Sequence, residues 1–492
     1  MKPDRLDDED SPQHSGNEVH STVRMLIIEQ PFPTTKPPLS EGRMQMKRRK
    51  RLSCFGLPLL LAFLLVSIPS VMAGQPTDND RYVKSESISE MPGVFWEGTY
   101  GCPHWDWCYD VIEVSTGGFA MTGFHDSTWA GQDGKMWLVR TDSNGTLLWN
   151  RTYRYVGNPE QSSGQSLLEC SDGGFAIGGY MTVYVQDTDT RHSEIWLVRT
   201  DAEGNQLWNR TYGGSGGDTC VELAGCSDGG FALFGITSSR GAGGSDFFLV
   251  RVDADGDMLW NHTYGYSGNE FPGPDGLVQC SDGGFAMVGN TWSLGLDAQV
   301  LLVRTDSDGN QLWSETYGES NWELGFDILN VDSDFLILAQ RTDTVQQTSW
   351  AWVIRTDANG DVIWERLHGT GIGESIVQCS SGGFAIAGYG GDMSTGIGGG
   401  WLVRIDDDGN LLWDRIYNRS DRDEFHEIIE CSDGNFAMAG QTEVDWDAGD
   451  FEFWLLRVAD QAPPIPIEWI VIGVGVPIAA VAILALLRAK RK

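Results

Sequence analysis

Six turns of this 492-residue chain share the pattern Asp-x-x-Gly, beginning at Asp142, Asp201, Asp253, Asp306, Asp357 and Asp406. Carboxylates so placed could open a calcium loop, but the bidentate Glu that closes an EF-hand loop is missing. Asp, Asn and Gly are also what a hairpin turn demands, because they accept positive φ and cap the turn. In all six copies nine residues separate the Arg before the turn from the Trp after it, as a fixed hairpin requires. They read as turns. A recurrent arginine (Arg140, Arg199, Arg251, Arg304, Arg355, Arg404, Arg457) would make an anion-binding ring, yet one copy per repeat is better explained by pairing with turn carboxylates or carbonyls. "GGSGG" (213–217) spells GxSxG but lies between two strands, whereas a nucleophile elbow needs a helix after it. His104, His125, His192, His262, His368 and His426 form no HxxxH or Cys/His ligand spacing. The expectation is therefore no catalytic residue, no metal, no cofactor and no enzyme.

Cys170, Cys226, Cys280, Cys379 and Cys431 share one repeat position, too far apart on successive units to bond, and read as packed free thiols. Cys102 and Cys108 are the one candidate disulfide. Candidate glycosylation sequons stand at Asn144, Asn150, Asn209, Asn261 and Asn418.

These residues need elements to place them. A phenylalanine column (Phe119, Phe175, Phe231, Phe285, Phe335, Phe384, Phe436) and a tryptophan column (Trp96, Trp149, Trp208, Trp260, Trp313, Trp364, Trp413) each recur seven times. Between them lie four to eight-residue segments rich in aromatic and β-branched types, such as "CVELAGC", "FALFGI", "FFLVRV" and "MLWNHTY". Four strands per unit of roughly 50 residues, repeated, is a β-propeller pattern. The last unit stops after its third strand at "FWLLRVAD", while the chain's first unit-like string, "VFWEGTYG" (94–101), is a fourth strand with nothing before it. The expected fold is all-β, a seven-bladed β-propeller closed by that N-terminal strand in a split blade, with a C-terminal transmembrane helix.

The strand–turn–strand unit "WLVRTDAEGNQLW" (196–208) resembles the repeat of pyrroloquinoline-quinone enzymes and their non-catalytic propeller relatives. It is also similar to the "GGFA…WLVRTD…GNxLW" arrays of secreted bacterial and archaeal surface proteins. The resemblance implies a propeller; the vicinal Cys-Cys pair of the catalytic members is absent, so it does not imply the quinone.

Residues 1–43 form a polar extension, and a start at Met44 or Met46 would give a conventional signal. "KRRKR" followed by an apolar run makes 44–73 a signal peptide or signal anchor. Residues 74–93 are a linker, 94–459 the propeller, 460–464 a second linker, 465–487 a bilayer-length apolar span and 488–492 a basic tail. The positive-inside rule keeps both basic clusters cytoplasmic and puts the propeller outside a single-pass membrane protein. The formal net charge is −35, and Lys84 and Lys135 are the only lysines between 74 and 464. Such a field repels phosphate backbones and excludes nucleic acid as a partner. The turns at one end of the strands hardly vary, whereas the loops at the other end vary and carry His104, Trp105, Trp107, Trp129, Tyr184, Trp292, Trp322 and Trp446. Variable loops on a rigid scaffold are where binding resides. The functional expectation is a membrane-anchored scaffold or binding module for a protein or glycan. The alternatives are a polysaccharide-active enzyme, which needs converging carboxylates or histidines, and a purely structural cell-surface component.

Overall fold

The computed structural model describes residues 93–461, less 103, 127–133, 156–158, 186–189, 296, 319–321, 347, 393–396, 421 and 446–449. The N-terminal extension, the signal-like segment and the C-terminal apolar span lie outside the described residues. Among the described residues no helix is long and apolar enough to cross a membrane.

Short runs of aromatic and β-branched residues bounded by turn chemistry produce 28 strands and no helix among the described residues. They form antiparallel four-stranded meanders: Asp106–Tyr153, Pro159–Tyr212, Asp218–Tyr264, Glu270–Tyr317, Trp322–His368, Gly371–Tyr417, and Asp423–Val458 completed by Val94–Tyr100. The fourth and fifth share one eight-stranded sheet only through a parallel bridge between Asp275 and Asp327. The first strands of successive meanders adjoin, and those of the first and last meet, so the array closes into a ring of the propeller type.

Closure follows the pairing that the sequence predicts. Val94–Tyr100 runs antiparallel to Asp450–Val458, with Trp96 opposite Arg457 and Tyr100 opposite Phe453. The amide of Ala459 donates to the Gly93 carbonyl (2.8 Å), and Gly93 has φ +88°, so a turn is rebuilt from the two ends of the domain. The seam is packed like the other junctions: Phe119, Met121 and Val139 of the first meander meet Phe453, Leu455 and Ala437 of the last.

Repeated side chains stitch each meander to the next. The tyrosine ending a fourth strand donates its hydroxyl to the turn glycine carbonyl of the following meander, as Tyr212 to Gly256 (2.7 Å) and Tyr264 to Gly309 (2.6 Å). A net hydrogen bond of this kind contributes about 1 kcal/mol. The arginine column is structural, as the sequence predicts. Arg199, Arg251, Arg304 and Arg457 reach Asp172, Asp228, Asp282 and Asp433 in the first turn of their own meanders (2.5–2.7 Å). Arg404 instead takes Asp460, beyond the last strand. Glu113 accepts the Ser432 amide (2.6 Å) and hydroxyl (3.0 Å), a staple across the seam that Glu169 repeats with Ser115 and Glu430 with Ser380.

Each first strand bulges against the second, between Cys108 and Asp110, Gly164 and Ser166, Cys220 and Glu222, Gly325 and Asp327, Gly373 and Ser375, and Phe425 and Glu427; the fourth meander has a longer irregularity between Pro272 and Leu277. A bulge pushes backbone toward the neighbouring strand. The small residue four positions after each Phe, glycine in six meanders and Ala339 in the fifth, accommodates it: a Cβ on Gly235 would lie 1.8 Å from the Thr219 carbonyl oxygen.

Candidate functional site

The bulges also aim side chains at the axis. Just beyond them stand Asp110, Ser166, Glu222, Asp327, Ser375 and Glu427, and the irregularity in the fourth meander adds Asp275. These side chains reach from one meander to the next. Asp110 Oδ2 accepts the Leu167 amide (2.6 Å), Asp327 Oδ2 the Ile376 amide (2.7 Å), and the Ser375 hydroxyl donates to Glu427 (3.1 Å). Asp275 differs: its Oδ2 is buried with no hydrogen-bond partner.

Five carboxyl groups on one axis cannot all stay ionised. Burial raises Asp110 and Asp327 to about 7, opposed by their amide and serine hydrogen bonds. Burial, and then the other members of the ring, push Glu222, Asp275 and Glu427 well above the ordinary carboxylate range. At neutral pH the ring therefore holds protons.

On the loop side of this ring sits a second layer. His426 Nδ1 lies 2.5 Å from Glu374 Oε2, and Gln441 donates to Glu424 (3.1 Å). Burial works against the imidazolium, but Glu374, Glu424 and Gln441 outweigh it and raise His426 to about 9. Tyr109 stands beside it, ring centroids 5.8 Å apart, its hydroxyl pushed well above 10 by burial. The histidines show no ligand spacing in the sequence, and the fold sets His426 beside an acidic residue of a neighbouring meander. Glu374 and His426 are 52 residues apart, and the packing of the sixth meander's first strand against the seventh's brings them side by side.

The loop residues singled out in the sequence form separate pairs. Trp105, 44% exposed, stacks on Trp107 (5.8 Å, 11°), which leans on Phe124. Trp292 and Trp322 meet edge to face at 5.6 Å. Tyr184 lies under the Arg191 guanidinium, and His104 is half-buried, its carbonyl accepting the Phe451 amide. Trp129 and Trp446 lie outside the described residues.

The Cys102–Cys108 pairing is corrected: both are free thiols. Cys108 is buried in the seam core, while Cys102 precedes the strand and points to the Asp126 carbonyl (3.7 Å). The repeated cysteines are also free, their thiols raised by burial. In the Asp-x-x-Gly turns one carboxylate oxygen accepts two amides of its own turn, as Asp201 Oδ1 does from Glu203 (3.1 Å) and Asn205 (2.7 Å). Of the sequons, Asn144 and Asn150 are exposed, and Asn209, Asn261 and Asn418 half-buried. Asn150 and Asn209 accept the indole N–H of Trp137 and Trp196, a place taken by Glu365 and Asp414 under Trp352 and Trp401.

No family model matches this chain, and no curated protein matches it. The likeness to the quinone-enzyme repeat is therefore carried by the repeat residues alone. Among solved structures it is similar to a protein of unknown function from Dyadobacter fermentans (9% identity, TM-score 0.47, 75% of this chain and 100% of that one). It is also similar to puromycin hydrolase (13%, 0.45, 74% and 55%) and to the phage phi92 endosialidase (9%, 0.39, 75% and 70%). At these values the likenesses carry no functional argument; the propeller-type fold rests on strand order and ring closure.

Proposed function

We propose that the protein is a seven-bladed propeller held outside the cell by its C-terminal apolar span, with "RAKRK" cytoplasmic, and that it acts as a binding module. The ligand engages the loop face, where the axial cluster opens, and it carries an ammonium or guanidinium group. The observation that carries this reading is the convergence of Asp110, Glu222, Asp275, Asp327 and Glu427, with Glu374, Glu424 and His426 above them. A cation from the ligand offsets the burial, and after it the mutual repulsion, that otherwise keep protons on these carboxyls. The carrier of that cation is a protein or a glycan bearing amino groups.

The test is array binding by the full detergent-solubilised chain. The expected hits bear a cationic group, weaken as salt rises and lose about tenfold or more in affinity in Glu427→Gln. Hits confined to neutral ligands, indifferent to that substitution, would overturn the proposal. A second reading is favoured by the Glu374–His426 pair beside carboxyls that titrate near neutrality, a set suited to general acid–base hydrolysis. Polysaccharide cleavage abolished by Glu374→Gln would move the assignment there.

A further inference from the structure

The repeat supplies its own baseline for a second cluster, away from the axis. Three first strands begin with an acidic residue that caps the preceding loop and accepts a hydroxyl from the second strand. Asp218 takes the Gly214 amide (2.7 Å) and the Thr237 hydroxyl. Glu270 takes the Tyr266 amide (3.0 Å) and the Thr291 hydroxyl (2.7 Å). Asp423 takes the Arg419 amide and the Thr442 hydroxyl (2.7 Å). In the first meander the acid is Asp106, fully buried, and it takes the Cys102 amide (2.8 Å). Where the others have threonine it has His125, with Nδ1 2.6 Å from Asp106 Oδ1.

This meander therefore departs from those three at the threonine position, and its capping loop, whose residues differ from meander to meander, carries Cys102; both side chains can ligate a metal. The Cys102 sulfur, an Asp106 oxygen and a His125 nitrogen lie within 4.8 Å of one another. A second observation points the same way. Asp450, from the last meander across the seam, is 9% exposed, and its Oδ1 is buried without a hydrogen-bond partner. It lies within electrostatic reach of the Cys102 thiol, together with Asp126 and Glu452. This negative surround would hold a divalent ion.

We propose that Cys102, Asp106 and His125 form a binding site for a zinc-class divalent ion on the loop face, at the seam where the ring closes. Thiolate, carboxylate and imidazole together suit zinc rather than calcium or magnesium. Three protein ligands leave a fourth position for water or a bound ligand. On binding, the thiol proton leaves to solvent and the sulfur lone pair forms the bond. The imidazole binds through a nitrogen lone pair, and no electron is transferred. Because the ligand is the thiolate and binding releases its proton, uptake strengthens as pH rises.

The experiment strips the full detergent-solubilised chain with chelator, then titrates it with Zn²⁺ by calorimetry and with Co²⁺ by absorption. One equivalent is expected, with a thiolate-to-cobalt charge-transfer band. Cys102→Ser removes the band, and His125→Thr weakens Zn²⁺ binding by about tenfold or more. His125→Thr restores the residue that three other meanders carry, so its metal-free melting stays that of the parent. Absence of stoichiometric uptake, or uptake that survives both substitutions, overturns the site.

Discussion

Asp275 shows how a single side chain can set the pH response of the whole ring. It is the ring carboxylate with a buried, unpartnered oxygen, and its charge is opposed first by burial and then by Glu427, Asp327, Glu222 and Asp110. A carboxyl whose folded pKa is raised keeps a proton that the unfolded chain releases. Its stabilising contribution is whole below the ordinary carboxylate value of about 4 and is lost as pH rises through the folded value, about 7 for Asp110 and Asp327. His426, raised to about 9, acts in the same direction: its contribution is whole below its ordinary value of about 6.5 and is lost as pH rises through about 9. Turn aspartates such as Asp201 and Asp406 are lowered by their Asn205 and Asn410 hydrogen bonds, so they favour folding above the carboxylate range and lose that contribution in acid. The melting temperature is therefore expected to peak in mild acid and fall between about pH 6 and 9. Asp275→Asn should flatten that fall, adding on the order of 1 kcal/mol at about pH 8. A steeper fall in the variant would show that the ring depends on the Asp275 charge. The ring was partly visible in the sequence, since Asp110, Ser166, Glu222, Ser375 and Glu427 each stand nine residues before a column phenylalanine. What the sequence withholds is the bulge, which turns this polar column toward the axis.

The strand is the scale at which sequence reading went furthest. Short aromatic and β-branched segments and the Asp-x-x-Gly turns located the hairpins, because local turn chemistry fixes them. The glycine column was legible as a small residue, but its cause was not, since it lies in the neighbouring strand. A Cβ on Gly235 meets backbone, the Thr219 carbonyl oxygen, which no rotamer change can clear. Gly235→Ala should therefore cost about 1–3 kcal/mol in chemical denaturation. The fifth meander tests the cause, because there Ala339 already faces Gly325, so the small residue is on the other strand. Ala339→Gly should cost no more than about 0.5–1 kcal/mol, the ordinary cost of a strand glycine. Equal costs at the two sites would show that the bulge does not decide the column.

Over the whole molecule, the order of units and their closure were readable from one fragment, the lone fourth-strand string at 94–101. Residues brought together only by packing between meanders were not readable: Glu113 with Ser432 and Cys102 with the last meander's Asp450 across the closure, and Glu374 with His426 between the sixth and seventh meanders, depend on three-dimensional register. The same dependence makes closure testable. Deleting 94–101 strips the fourth strand from Asp450–Val458, leaving its ladder amides and carbonyls unpaired on an exposed edge. It also removes Glu97 from the Trp454 indole (3.2 Å) and Trp96 and Tyr100 from the seam core. The expected result is aggregation or a large fall in melting temperature, whereas deleting 1–43 leaves the melt unchanged. A lost strand of this kind can be returned in trans, because its affinity comes from backbone hydrogen bonds with side-chain pockets setting the register. A synthetic peptide of residues 93–101 should restore the melting temperature of the deleted chain in proportion to its concentration, and the same peptide with Trp96→Ala should not. A deleted chain that melts like the parent without peptide would mean that the ring does not rely on its N-terminal strand.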